Sequence, residues 1–117
     1  MHTDTKYIFK VVPRDAWHAA CNDGVYTGSA DDLRDGFIHF SLREQLPGTL
    51  AKHYRGQSDL LLVRFDVDDL GDALKWEPSR GGALFPHLYA PLPTRHAIST
   101  DELKLEGEIP SLPEGFL

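Results

Sequence analysis

The chain is short of almost everything that would announce a familiar site. It has a single cysteine, Cys21, among 117 residues, so no disulfide can close within it, and a reducing compartment fits. No stretch approaches the roughly 20 apolar residues of a membrane span. The opening Met-His-Thr-Asp-Thr-Lys has no apolar run and does not read as a secretory leader. These absences lead us to expect a soluble, cytoplasmic protein without a membrane partner. An excess of basic charge is also missing. The formal net charge is −6, which argues against broad nucleic-acid binding driven by phosphate neutralisation while leaving room for a local basic pocket.

The common catalytic signatures are absent as well. There is no Gly-x-Gly-x-x-Gly and no Walker loop to cradle a phosphate. No His-Glu-x-x-His or paired cysteines stand ready for zinc, and no Gly-x-Ser-x-Gly elbow presents a nucleophile. Asp66, Asp68, Asp69 and Asp72 cluster around Gly71, but without calcium-loop spacing or its closing Glu, so they read as a solvated turn.

What is there is an ordinary globular composition, 41% apolar and 26% charged, at a length that suits one domain. We take residues 1–117 as that domain, with a core over about 7–105 and a tail over 106–117. Residues 7–12, β-branched and aromatic, predict a strand. Pro13 then opens a helix over 13–22 that Gly24 stops. Trp17, Ala20 and Cys21 share its apolar face, so Cys21 is expected to be buried as a small hydrophobe. Ser29 caps a single turn. Residues 37–41 form a short strand on which Phe37, His39 and Ser41 share one face. Ser41 and Glu44 make a capping box for a helix reaching about Tyr54, with Leu46, Leu50 and His53 in one stripe. Pro47 either kinks that helix or marks its true start. Residues 59–67 are the strongest strand, expected to be central. Short strands follow at 74–77, between 85 and 92, and at 95–99. The total is five to six short strands and two main helices. That is an α+β fold with a mostly antiparallel sheet.

The least regular stretch is residues 76–89, with paired glycines at 81 and 82 between Pro78 and Pro86. Its composition reads as a loop able to set Trp76, Glu77, Arg80, His87 and Tyr89 around one point. Arg80 has the planar fork of an anion clamp, or it pairs with Glu77. Glu77 either steadies a developing positive charge or pins the loop. His87 and Tyr89 share a face and either contact a ligand or pack the loop on the sheet. His39 and Ser41 line a cleft if Ile38 and Phe40 face the core; otherwise His39 is a structural, hydrogen-bonded imidazole. The set of imidazoles, carboxylate, guanidinium and aromatic rings suits a phosphate-bearing or nucleotide-like small molecule.

Asp-Gly-Phe-Ile-His-Phe-Ser at 35–41, Asp-Leu-Leu-Leu-Val-Arg-Phe-Asp-Val at 59–67 and Lys-Trp-Glu-Pro-Ser-Arg-Gly-Gly-Ala-Leu-Phe-Pro-His-Leu-Tyr at 75–89 resemble the bacterial family known as domain of unknown function 952, from about Tyr7 to Ile98. The resemblance implies a split α+β sheet of ADP-ribosyltransferase type. Phe-Ile-His-Phe-Ser at 37–41 and Leu-Val-Arg-Phe-Asp at 62–66 are also faintly similar to RNA 2′-phosphotransferases of that superfamily. This likeness would put His39 and Ser41 beside an NAD cleft. The first strand departs from the superfamily pattern, lacking its His-Gly-Thr or Arg-His, and Glu77 matches the late-strand catalytic Glu by type alone.

Three readings follow. In the first, a cleft binds NAD or ADP-ribose, with Glu77 and His39 catalytic and Ser41, Trp76, Arg80, His87 and Tyr89 holding the ligand; any reaction would be transfer of an ADP-ribosyl or phosphoribosyl type. In the second, the chain is a non-catalytic module for a small molecule or protein. In the third, His39, His87 and Glu77 hold a hydrolytic metal, although no spacing supports it. The residues give no signal for oligomeric state.

Overall fold

The computed structural model describes residues 6–113 and 116, and Arg80 by its backbone alone. In chain order the elements are β1 (Tyr7–Pro13), α1 (Arg14–Asp23), β2 (Val25–Tyr26), α2 (Ala30–Asp35), β3 (Ile38–His39), α3 (Leu46–His53), β4 (Leu60–Asp66), α4 (Val67–Leu70), β5 (Leu74–Pro78), β6 (Leu84–Leu88), β7 (Leu92–Pro93), β8 (Ser99–Leu105) and β9 (Pro110–Ser111). They form a mixed α/β fold in which the strands pair antiparallel in three groups, β1-β4-β8-β9, β2-β7 and β3-β6-β5.

β1 and β4 run antiparallel over their full length, from Tyr7 opposite Asp66 to Pro13 opposite Leu60. Both are apolar at successive positions because both faces are covered. On one face Ile8, Val12, Leu61, Val63 and Phe65 meet Trp17 of α1, Phe40 and Leu88. On the other, Phe9, Val11, Leu60 and Leu62 meet Leu46 and Leu50 of α3. Each such fully buried side chain contributes about 1.5–3 kcal/mol. β4, flanked by β1 and β8, holds the central place its sequence suggests.

Residues 37–41 join two of these groups. Ile38 and His39 pair with Leu88 and His87 of β6. Two residues later Ser41 exchanges backbone bonds with Phe9 of β1, each 2.9 Å. The segment thus leaves one sheet for the other, and the gap it crosses becomes a cleft.

Several expectations change. Cys21 is exposed, because the buried stripe of α1 keeps to Trp17 and Ala20 and the next residue turns about 100° away. Ser41 does not cap a helix. Its hydroxyl bonds to Thr49 at 2.9 Å, and the Leu42 N–H is instead satisfied by the Gln45 side chain. α3 begins at Leu46 with Pro47 in its first turn, where a missing N–H costs nothing, and His53 is exposed. Residues 76–89 are mainly the two arms of a β5–β6 hairpin, with Trp76 opposite Pro86 and Glu77 opposite Phe85; only the tip is irregular. The strand expected at 95–99 begins at Ser99 and runs to Leu105, after a turn of 3-10 helix over Thr94–His96. The tail adds β9 to β8, and Ile109, Leu112 and Phe116 pack on the α3 side of the core.

Candidate functional site

The gap between the sheets is a cleft of about 440 Å³. Its floor is built around a lysine. Lys10 occupies the same face of β1 as Ile8 and Val12, a core position, and is 5% exposed. Its ammonium donates to Asp32 Oδ2 at 2.9 Å, to Asp32 Oδ1 at 3.2 Å and to the His39 carbonyl at 2.8 Å, which uses all three of its hydrogens. Asp32, 2% exposed, is delivered by α2. The Ser29 hydroxyl accepts from Asp32 N–H at 3.1 Å, and Asp32 Oδ2 accepts from Ser29 N–H at 2.9 Å, a reciprocal cap. Asp32 also accepts from His39 N–H at 3.1 Å and lies 2.6 Å from His39 Nδ1. Burial alone would raise its pKa, but the His39 hydrogen bond and the Lys10 charge outweigh that and hold the carboxyl below the usual range. Burial pulls the Lys10 ammonium down against the upward pull of Asp32.

Above this pair sit the two imidazoles. His39 Nε2 lies 2.9 Å from Asp35 Oδ2, so both of its ring nitrogens face carboxylates. His87, 4% exposed, lies opposite His39 across the β3–β6 pairing, their ring centroids 5.4 Å apart. Its Nδ1 is 2.8 Å from Glu77 Oε1, the same oxygen that takes the Tyr89 hydroxyl at 2.7 Å. Burial lowers the His87 pKa, and Glu77 opposes that shift. The bonds from His87 and Tyr89 keep the Glu77 carboxyl below its ordinary value, and the bond to Glu77 raises the Tyr89 phenol. Phe37 stacks on His87 at 4.0 Å and 22°. Tyr54, also lining the cleft, donates to the Val11 carbonyl at 3.2 Å, and burial, aided by Asp32 and Asp31, pushes its phenol up to about 12.

Of the residues singled out from the sequence, His39, Ser41 and His87 line this one cleft. Glu77 and Tyr89 stand behind His87, joined to it by the hydrogen bonds just given. Trp76 packs against the core instead. The side chain of Arg80 lies outside the described residues; its backbone forms the turn between β5 and β6. Among the described residues no three His, Cys, Asp or Glu side chains gather to hold a metal ion, and no helix is long and apolar enough to cross a membrane. Sequence reasoning passed over Lys10, Asp32, Asp35 and Phe37. A lysine in register with Ile8 and Val12 was a visible signal for the first, and Ser29-x-x-Asp32 for the second.

A fold of paired antiparallel strands around a closed Lys–Asp–His cluster places the molecule with small cleft-bearing α/β proteins. More particularly, the chain belongs to the family described as "Protein of unknown function (DUF952)", whose model matches residues 11–100. The matched span includes Asp32, His39, Ser41, Glu77, His87 and Tyr89. A crystal structure of protein CC0527 from Caulobacter crescentus is 46% identical and superimposes with a TM-score of 0.87, covering 90% of this chain and 93% of that one. The solution NMR structure of CC0527 is 47% identical with a TM-score of 0.80, over 89% and 90% of the two chains. No curated protein matches the chain.

Proposed function

We propose that the cleft binds the ribosyl portion of a nucleotide-type small molecule, in the manner of an ADP-ribosyltransferase-like fold, with NAD or ADP-ribose as the parent class. The observation that carries this reading is that His39, Ser41 and His87 line a single cleft, the first two on the segment that crosses from one sheet to the other and the third opposite His39 on β6. The His87 imidazole and the Ser41 hydroxyl can hydrogen-bond the diol of a ribose, with His39 shaping the wall beside them while both its nitrogens face Asp32 and Asp35, and a cavity of this volume falls in the usual range for small-molecule sites. The charge balance favours the sugar and base over the pyrophosphate. The two cations lining the cleft, Lys10 and Arg34, are already paired, Lys10 with Asp32 and Arg34 with Asp31 and Asp35. Arg80, at the hairpin turn, is the group we assign to a pyrophosphate.

Calorimetric titration tests this. NAD or ADP-ribose is expected to bind, with affinity lowered at least tenfold in Ser41→Ala and His39→Ala. Heats no greater than dilution at millimolar ligand would reject it. The non-catalytic alternative has one observation in its favour: the polar residue that β1 turns to the cleft, Lys10, is committed to structural bonds and not to a ligand.

A further inference from the structure

His87 and His39 line the same cleft but are held in opposite ways. The carboxylate of Glu77 can only accept, so His87 donates from Nδ1–H, and a neutral imidazole then presents Nε2 as a lone pair. Among the described residues nothing hydrogen-bonds to that Nε2, although the side chain is buried and borders the cleft. Phe37 on its face and Glu77 behind it fix the ring. His39 has both nitrogens occupied, by Asp32 and Asp35. The Lys10 ammonium is saturated, and the Tyr54 hydroxyl is given to a carbonyl. Among the described residues His87 is therefore an oriented base with Nε2 unpartnered, and none of these three neighbours is free to act as an acid.

We propose that His87 is a general base in this cleft, taking a proton from water or a hydroxyl that attacks a ribosyl carbon, with Glu77 as its positioning residue. The substrate class is a ribosyl group whose leaving group departs without being protonated, a pyridinium N-riboside. This inference rests on the ribosyl reading above. In the step, Nε2 takes a proton from water as the oxygen bonds to the anomeric carbon. The carbon–nitrogen bond breaks, and its electron pair passes to the ring nitrogen, which turns from cationic pyridinium to neutral pyridine. The proton on Nε2 then leaves to solvent. No acid and no redox partner are required. Glu77, set behind His87, does not touch the reacting carbon; it fixes the tautomer.

Nicotinamide riboside is the probe. Ring-nitrogen spectra of the free wild-type protein at neutral pH should show His87 as the neutral Nδ1–H tautomer; an Nε2–H tautomer or an imidazolium overturns the assignment whatever binds. Wild-type protein should release nicotinamide faster than buffer, and His87→Gln should lose about 100-fold or more, the usual contribution of a general base. Glu77→Gln, at a partly exposed position and so the safer variant for folding, should lose less. It should also move the acid limb of the pH profile to lower pH, because the charge that opposes the lowering of the His87 pKa is gone; a merely structural Glu77 would leave the limb in place. Shifts at the His39 and Ser41 amides report binding separately. Binding with release at the buffer rate, or full activity in His87→Gln, overturns the base and leaves the cleft; no binding at all overturns both.

Discussion

Lys10 is the residue on which the cleft's geometry depends. It bridges β1 to α2 through Asp32 and to β3 through the His39 carbonyl, so one buried ammonium sets the spacing of three elements. Removing one partner of a buried pair leaves an uncompensated charge. Asp32→Asn should therefore lower the unfolding free energy by about 3–5 kcal/mol. Lys10→Met should cost less, because Asp32 keeps its bonds from Ser29 and His39; urea midpoints would rank the two. The pH dependence has a definite sign. The folded-state pKa values of Asp32 and His87 are both lowered, so the unfolded chain binds more protons at each. The stability linked to His87 is present above about pH 6.5 and lost as pH falls below it, and that linked to Asp32 is lost below about pH 4. The upper limb should flatten in His87→Gln when unfolding is followed from pH 7.5 to 5. At this scale the sequence was half legible. His39, Ser41 and His87 could be placed by strand alternation, and the register of Lys10 with Ile8 and Val12 marks it as out of place, but its role is not legible until a partner 22 residues away is known, because alternation carries no information about partners.

At the scale of elements, the two connections that shape the cleft use glycine differently. Gly82 turns the β5–β6 hairpin at φ 81° with open space where a Cβ would stand, whereas a Cβ on Gly28, at φ 120°, would lie 2.8 Å from Asp32 Cβ. Gly82→Ala should cost only the left-handed strain, roughly 1–2 kcal/mol. Gly28→Ala should cost about 3 kcal/mol or more, because it also pushes Asp32 out of its pair. Thermal unfolding would separate them, and equal losses would contradict the role given to Asp32. β1, α1, α2, β4 and β5 were legible from period, caps and breakers. β8 was not, because only Leu103 of its seven residues is buried and a half-exposed polar strand lacks the apolar alternation that marks others. The hairpin at 76–89 hid behind Pro78 and Pro86. Prolines argue against central strands, yet here Pro78 ends an arm, and Pro86 keeps its place in the pairing opposite Trp76.

For the whole molecule, the cleft exists because residues 37–41 pair with β6 and then with β1, holding two sheets side by side without merging them. That crossing depends on partners far apart in sequence, which is why strand 37–41 was legible and the shape of the cleft was not. The central claim is that this crossing makes a ligand site. Amide-shift mapping of the labelled full chain with nicotinamide riboside tests it most directly. The account predicts shifts concentrated at Ser29, Asp32, His39, Ser41, Thr49 and His87, with β8 and β9 unmoved. A spectrum unchanged at millimolar ligand, or shifts gathered on β8 and β9 instead, would contradict it.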